Sequence, residues 1–389
     1  MSTSPDIDIL IEVSRRYGGD PAYLLAGGGN TSVKHGERLW VKASGHALAD
    51  ITADGFVELD RNRLDAMLDA RWPEDSAARE AAFVEAAMAA RVHPELNQRP
   101  SVEALLHHLL PDQYVVHTHP RIVNAISCCK DGSDLSSEIL GGRVLWQPYV
   151  DPGLILAKSM HKAIKQYTQA NAQAPEAIIL ANHGLIVSGD KVSQIDDITQ
   201  SLIGKIDHAI SSSSVKGFSG KEYPQYPDLL ELHQYAAREA IANSYTSTEA
   251  SDQIQRLVGF EGGRDAALSG PLLPDHIVYC RSFPMWINNP ASNTQDAIEQ
   301  WQRTFQAYNN SYGFEPWLGL IAGVGMISIR DSQLMADITR DVYLDAAHVY
   351  FGATRLGGIK VLGKRERQFI EHWEVEAYRR NIAEVHNYD

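Results

Sequence analysis

Apolar and polar positions recur along this chain with two periods, and the switch between them marks its elements. Spacings of three and four residues predict helices over 6–17, 60–70, 75–91, 101–110, 153–170 and 191–213. Two-residue alternation, or short apolar runs bounded by turn residues, predicts strands over 31–34, 38–43, 56–59, 114–118, 143–147, 176–181 and 184–188. The first helix is expected to be capped near Asp6 and stopped by Gly18 and Gly19. Several strands are joined by short polar turns instead of helices, which implies antiparallel pairing. The expected fold class is α/β: a mixed, largely antiparallel sheet flanked by helices.

The stretch SSSSVKGFSG (211–220) has the composition of a linker. It divides the chain into an expected first domain, 1–215, and a smaller C-terminal α/β domain, 221–389. In the second, the pattern predicts a helix near 227–246, a strand in HIVYC (276–280) and a helix over 294–309. A strand, a turn and a strand follow in WLGLIAGVGMISIRD (317–331), with helices through SQLMADITRDVYLDAAHVYFGA (332–353) and the tail ERQFIEHWEVEAYRRN (366–381). No internal repeat shows in the residues. Trp286, Trp301, Trp317 and Trp373 read as packing residues, and no cluster in this half suggests chemistry.

Composition narrows the partners. At 389 residues, 44% hydrophobic and 22% charged, the chain is an ordinary globular protein of two domains. A net charge of −14 argues against nucleic-acid binding. An anionic substrate would need local positive potential from a metal ion, helix N-termini or a few lysines. No apolar run reaches the roughly 18–20 residues that span a bilayer, so no membrane partner is expected. The N-terminus lacks a basic-then-apolar signal layout. Cys128, Cys129 and Cys280 have no framework spacing, which implies reduced thiols and a cytoplasmic setting.

The candidate chemistry lies in the first half. In YVVHTHP (114–120), His117 and His119 are two apart on an expected strand and so share a face. Their imidazoles could take one metal ion between them, at the roughly 2.0–2.1 Å of a Zn–N bond. In AIILANHGLIV (177–187), His183 stands at a turn beside Gly184, where a ring can approach a metal closely. Three histidines would leave a coordination position for substrate. Among 15 histidines, packing or surface roles remain the alternative for each. In RPSVEALLHHLLPD (99–112), Ser101 is a candidate N-cap and Glu103 falls in the first turn. Glu103 could serve the helix dipole, or act as a general acid/base near the metal. His107, one turn on, could hydrogen-bond Glu103 or simply pack.

Taken in order, GGGNTS, KASG, RPSVE, VVHTHP and ANHGLIV resemble the class II aldolase/adducin-head superfamily over roughly residues 20–190. That family includes zinc-dependent sugar-phosphate aldolases, ribulose-phosphate 4-epimerases, related decarboxylases and the non-enzymatic adducin head. The segments PWLGLIAGVGMISI and FIEHWEVEAYRR are similar to the region after the aldolase portion of bifunctional rhamnulose-1-phosphate aldolase/alcohol dehydrogenases. Those proteins continue into a dinucleotide-binding domain, and this chain stops at Asp389, before any such domain. The GVG at 323–325 sits between two expected strands, so it reads as a hairpin turn, and NAD binding is not expected.

The resemblance implies His117, His119 and His183 as ligands of one Zn²⁺, or another divalent metal, per subunit, and Glu103 as the catalytic carboxyl. It implies a substrate or phosphate pocket built from Gly29, Asn30, Thr31, Lys42, Ser44, Gly45 and Ser101. Glycine there lets backbone N–H groups turn toward an anion. Val102 departs from the pattern: the phosphate aldolases carry a second serine at that place, so one hydroxyl donor is missing. Lys42, sharing a face with Ser44, could compensate. The implied activity is cleavage of a ketose, as the 1-phosphate and rhamnulose-1-phosphate-like, to dihydroxyacetone phosphate and a small aldehyde. The implied assembly is a homo-oligomer, a tetramer. The alternatives are an epimerase or decarboxylase acting on a small sugar phosphate or hydroxy acid, or a non-catalytic adducin-head-like binding protein.

Overall fold

A computed structural model describes residues 7–373, which form two compact units. Among them, 7–127 and 133–208 belong to the first unit, and 128–132 and 209–373 to the second. Asp6 and the tail beyond Trp373 lie outside the described residues.

The first unit runs α1 (Ile7–Gly18), β1 (Asn30–His35), β2 (Arg38–Lys42), β3 (Phe56–Asp60), α2 (Arg61–Asp69), α3 (Ser76–Ala89), α4 (Ala104–Leu109), β4 (Tyr114–Thr118), α5 (Arg121–Ser127), α6 (Gly132–Leu140), β5 (Val144–Gln147), α7 (Leu154–Asn171), β6 (Ala177–Leu180), β7 (Gly184–Gly189) and α8 (Val192–Ser212). Caps fix several starts. Asp60 accepts from Asn62 N–H and Asp75 from Ala78 N–H, each satisfying a donor that the helix cannot. The strands make one seven-stranded sheet in the order β3-β2-β1-β4-β7-β6-β5. Every pair is antiparallel except β5–β6, which α7 connects as a crossover.

Register places the chemistry. Asn30 lies opposite His117, which lies opposite Ile186 across β1, β4 and β7. These residues, with Ser32 and Val115, share one face. On that face Leu39, Val41, Val115, Ile178 and Ile186 pack with Phe83, Leu105, Leu106 and Leu154 into the main core. The other face meets α1, whose buried Leu10, Val13, Ser14 and Tyr17 form one helical stripe.

The second unit contains α9 (Leu230–Ala240), β8 (Tyr245–Glu249), α10 (Asp252–Val258), α11 (Glu261–Ser269), α12 (Pro274–Cys280), β9 (Met285–Ile287), α13 (Thr294–Tyr312), β10 (Leu318–Ile321), β11 (Gly325–Arg330), α14 (Gln333–Arg355) and α15 (Lys364–His372). Its four strands are ordered β8-β11-β10-β9. Trp301 and Tyr308 of α13 pack with Met285, Ile321, Val324 and Ile327 in its core.

Two expected elements differ. HIVYC is helix α12, not a strand: Pro274 opens it and residues 276–280 are buried all round, so a short apolar run carried no period to read. The helix expected near 227–246 stops at Ala240, and Tyr245–Glu249 is a strand after a turn with Asn243 at φ +57°. Cys128, Cys129 and Cys280 are buried and form no disulfide among the described residues. No helix among the described residues is long and apolar enough to cross a membrane.

Candidate metal centre

His117 is the next-to-last residue of β4, a strand buried throughout, and is fully enclosed. Its Nδ1 lies 3.0 Å from Leu185 O; a carbonyl only accepts, so Nδ1 carries the hydrogen and Nε2 keeps a lone pair. His119 falls just past the strand end at Thr118, held by its N–H to Tyr23 O and by Asn124 Nδ2 to its carbonyl. Its Nε2 sits 3.1 Å from His117 Nε2. His183 occupies the three-residue turn between β6 and β7, where Asn182 takes a left-handed φ of +52°.

One potential ligand atom from each of the three rings lies within 4.8 Å of the others. Small ring rotations bring such a set to the about 2.0–2.1 Å of Zn–N bonds. Gly184 makes this approach possible. A Cβ there would stand 2.5 Å from Thr118 O, 2.7 Å from His119 Cδ2 and 3.2 Å from His117 Cε1. Neutral imidazoles with one lone pair turned inward are the donor set of a divalent transition metal, so the residues present fit such an ion.

Glu103 is buried at the start of α4, with Oε1 3.3 Å from His183 Nε2 and Oε2 3.5 Å from His117 Nε2. Asn30 Nδ2 donates to Glu103 Oε2 at 2.6 Å and to Ser101 Oγ at 3.3 Å. Asn30 Oδ1 in turn accepts from His107 Nε2, and His107 Nδ1 accepts from Ser32 Oγ at 2.7 Å. Burial, aided by His117 and Lys34 and opposed by Glu103, drives His107 down to about 3, so its ring stays neutral. Lys34, next along the same face of β1, is driven down to about 7 by burial and Arg61, against Asp112 and Asp190.

The remaining candidates separate. Ser101 is not the N-cap: α4 starts at Ala104, and Ser101 Oγ accepts from Glu103 N–H at 3.2 Å in a turn before the helix. It accepts from Asn30 as well, which leaves its own hydrogen to donate. Ser44 Oγ donates to Pro100 O at 3.3 Å, and its N–H donates to Arg99 O, so the Ser44–Gly45 loop is tied to the Ser101 segment. Lys42 Nζ reaches Gly27 O at 3.0 Å and so anchors the glycine-rich loop. Within that loop Gly29 has φ +63°, and a Cβ would stand 2.7 Å from His117 O. Both amide hydrogens of Asn30 are used inside the protein, so in this arrangement it orients Glu103. Thr31 faces the other side of the sheet, its Oγ1 2.6 Å from Ser14 Oγ, and its side chain cannot reach an occupant of the histidine face. Ser32, the last residue of GGGNTS, is absent from the expected pocket residues yet lies on the site face. Strand alternation from Asn30 carried that signal.

Residues 9–197 match the family described as class II aldolase and adducin N-terminal domain. Residues 229–379 match the family described as aldolase class II, second domain. A curated relative, the uncharacterized oxidoreductase YuxG of Bacillus subtilis, is 29% identical over 97% of this chain, and the chain spans 58% of that relative's length. Among solved structures, the N-terminal class II aldolase domain of a conserved protein from Thermoplasma acidophilum is 30% identical. That likeness covers 54% of this chain and 96% of that one, with a TM-score of 0.46. An L-fuculose 1-phosphate aldolase is 16% identical, covering 54% of this chain and 88% of that one, with a TM-score of 0.36.

Proposed function

Since the chain belongs to the class II aldolase and adducin superfamily, whose mixed α/β architecture it shares, we propose that it is a metal-dependent carbon–carbon lyase. The observation that supports this most is the convergence of His117, His119 and His183 beside the buried Glu103 carboxyl. The three imidazoles would hold one divalent ion, with Zn²⁺ the best match to three nitrogen donors. When bound, that ion would supply Lewis-acid polarisation of a substrate carbonyl. The substrate in this reading is a small ketose, carried as its 1-phosphate, cleaved to dihydroxyacetone phosphate and an aldehyde by a homo-oligomer.

The residues then have distinct tasks. Glu103, held at Oε2 by Asn30 and lying against the histidine set, is the group that moves the proton at the reacting carbon. In the cleavage direction the hydroxyl proton lost as the aldehyde forms passes to water, and Glu103 gives its own proton to the carbon released by bond breaking; in synthesis both transfers run in reverse. Ser101, with a hydrogen to donate, and the Gly29 and Ser44–Gly45 loops, braced by Lys42 and Arg99, would form the anion-binding wall.

The test is a screen of purified, zinc-loaded protein against ketose 1-phosphates and free ketoses, with detection of dihydroxyacetone phosphate. Release of that product from one ketose 1-phosphate supports the reading. Epimer formation without a three-carbon fragment, or release of carbon dioxide from a hydroxy acid, replaces it with the epimerase or decarboxylase alternative.

A further inference from the structure

The second unit repeats the first, and the residues keep a faint trace of it at a constant offset: Pro175 and Pro316, Ala181 and Ala322, Gly184 and Gly325, Ile186 and Ile327, Asp190 and Asp331. In the first unit β4 pairs antiparallel with β7, β7 with β6, and β6 parallel with β5; α7 links β5 to β6, and α8 follows β7. In the second, β8 pairs antiparallel with β11, β11 with β10, and β10 parallel with β9; α13 links β9 to β10, and α14 follows β11. The helix before each first strand packs on the crossover helix, α4 on α7 and α9 on α13.

Hydrogen bonds outside the ladders match residue by residue. Ala181 N–H to Gln147 O corresponds to Ala322 N–H to Ile287 O. Asn182 N–H to Ser127 O corresponds to Gly323 N–H to Val258 O, and His183 N–H to Leu180 O corresponds to Val324 N–H to Ile321 O. Ser188 N–H to Glu176 O corresponds to Ile329 N–H to Trp317 O. Asn182 and Gly323 share the left-handed turn position, with φ of +52° and +68°. Generic sheet packing does not reproduce contacts of this kind, because they depend on turn length and strand offset together.

The register assigns a counterpart to each histidine. Just as Thr118 pairs with Leu185 and His117 with Ile186, Glu249 pairs with Met326 and Thr248 with Ile327. His117 therefore matches Thr248, His119 matches Ala250, and His183 matches Val324. Gly184 matches Gly325, and the match extends to its surroundings. A Cβ on Gly184 would meet Thr118 O and His119 Cδ2; one on Gly325 would meet Glu249 O at 2.8 Å and Ala250 Cβ at 3.4 Å. Where His117 Cε1 lies against Gly184, Leu230 Cδ1 lies against Gly325, at 3.2 Å. Val324 is fully buried in the core, with Leu229 and Leu230 packed against that core. The backbone is closed off as well: Tyr226 N–H donates to Gly323 O at 2.6 Å, and Pro224 O leaves no room for a side chain at Gly323.

We infer that the second unit is a degenerate copy of the metal-binding half of the first, in which Thr248, Ala250 and Val324 stand at the three ligand positions and Leu230 fills the space of the His117 ring. Its centre is hydrophobic core, so among the described residues the chain carries one metal position, not two. The one-metal conclusion rests on the proposed role of His117, His119 and His183; the assignment of Thr248, Ala250 and Val324 does not.

The test restores the lost ligands in the full chain. Thr248→His, Ala250→His and Val324→His are combined with Leu230→Ala, in a background carrying His117→Ala, His119→Ala and His183→Ala. The folded variant should bind about one equivalent of Zn²⁺ or Co²⁺ per chain, with the d–d absorption of a nitrogen-bound Co²⁺, where the background binds none. A folded variant that binds no metal overturns the assignment. If the combined variant does not fold, Ala250→His with Val324→His in the same background should give a chain whose melting temperature rises with added Zn²⁺. Absence of that rise overturns the assignment too. A parent chain that takes up no metal counts against the proposed function alone, because the graft is read without the first unit's histidines.

Discussion

Asn30 donates from Nδ2 to Glu103 Oε2 at 2.6 Å, and its Oδ1 accepts from His107 on the opposite side. The carboxyl beside the three histidines is thus held from behind by an amide, and the amide by a neutral ring. Because both amide ends are engaged, the orientation of Asn30 is fixed, and with it that of the Glu103 carboxyl. Asn30→Asp replaces the donor with an acceptor and sets two carboxyls side by side, which raises their shared proton affinity. It should lower kcat by roughly 10-fold or more while KM moves little, and shift the pH–rate profile upward. A KM change with kcat and the profile intact would mean that Asn30 contacts substrate instead.

Glu103→Gln keeps the shape of the side chain and removes its proton chemistry. It should retain metal, measured by elemental analysis, and lose about 10²-fold or more in aldol turnover. Normal turnover in the metal-loaded variant would end the role given to Glu103.

Gly184→Ala tests how tightly the rings are packed. The added methyl would lie 2.5 Å from Thr118 O, a backbone atom that cannot step aside, and 2.7 Å from a ring carbon of His119. The variant should fold, yet bind Zn²⁺ at least roughly 10-fold more weakly in chelator competition, the range seen when ligand positioning is disturbed. Unchanged affinity would show that the turn has slack.

Lys34 makes a pH signature in stability. Its amine is buried, donates to Asp112 O at 2.8 Å and is driven down to about 7, whereas in the unfolded chain it titrates near ~10.4. Between those values the unfolded state holds more protons, so this residue makes stability rise as pH goes from 7 toward 10. Below pH 7 its full penalty is present, about 1.4 kcal/mol for every tenfold loss of proton affinity on folding. Lys34→Met should therefore be more stable than the parent in urea at pH 6, and the advantage should shrink toward pH 10. A pH-independent difference would mean that Lys34 keeps its charge when folded.

Much of the first unit was legible because its signals are local. Caps at Asp60 and Asp75, two-residue alternation through β1 to β4 and the Gly-bounded runs of β6 and β7 all declare themselves within a few residues. His117 and His119 share a face by strand period alone, although His119 lies beyond the strand that the period implied. What stayed hidden depends on burial or on distant pairing. Residues 276–280 are apolar on every side, so helix α12 had no polar face to show its turn. Alternation puts Thr31 and Ser32 on opposite faces of β1, but which face meets α1 and which meets the histidines depends on neighbours far along the chain. The repeat was hard to see because only scattered identities such as Pro175 and Pro316, Ala181 and Ala322, and Gly184 and Gly325 mark it, while the histidine positions that would advertise it have become Thr248, Ala250 and Val324.

The central claim is that three imidazoles hold one divalent ion beside Glu103. Its most direct test is metal content per chain, measured by elemental analysis after zinc loading and dialysis, for the parent protein and for His117→Ala, His119→Ala and His183→Ala, each checked for folding by circular dichroism. The parent should hold about one equivalent, and each folded variant should lose most of it. A parent chain without metal, or folded variants that keep the parent's content, would contradict the site.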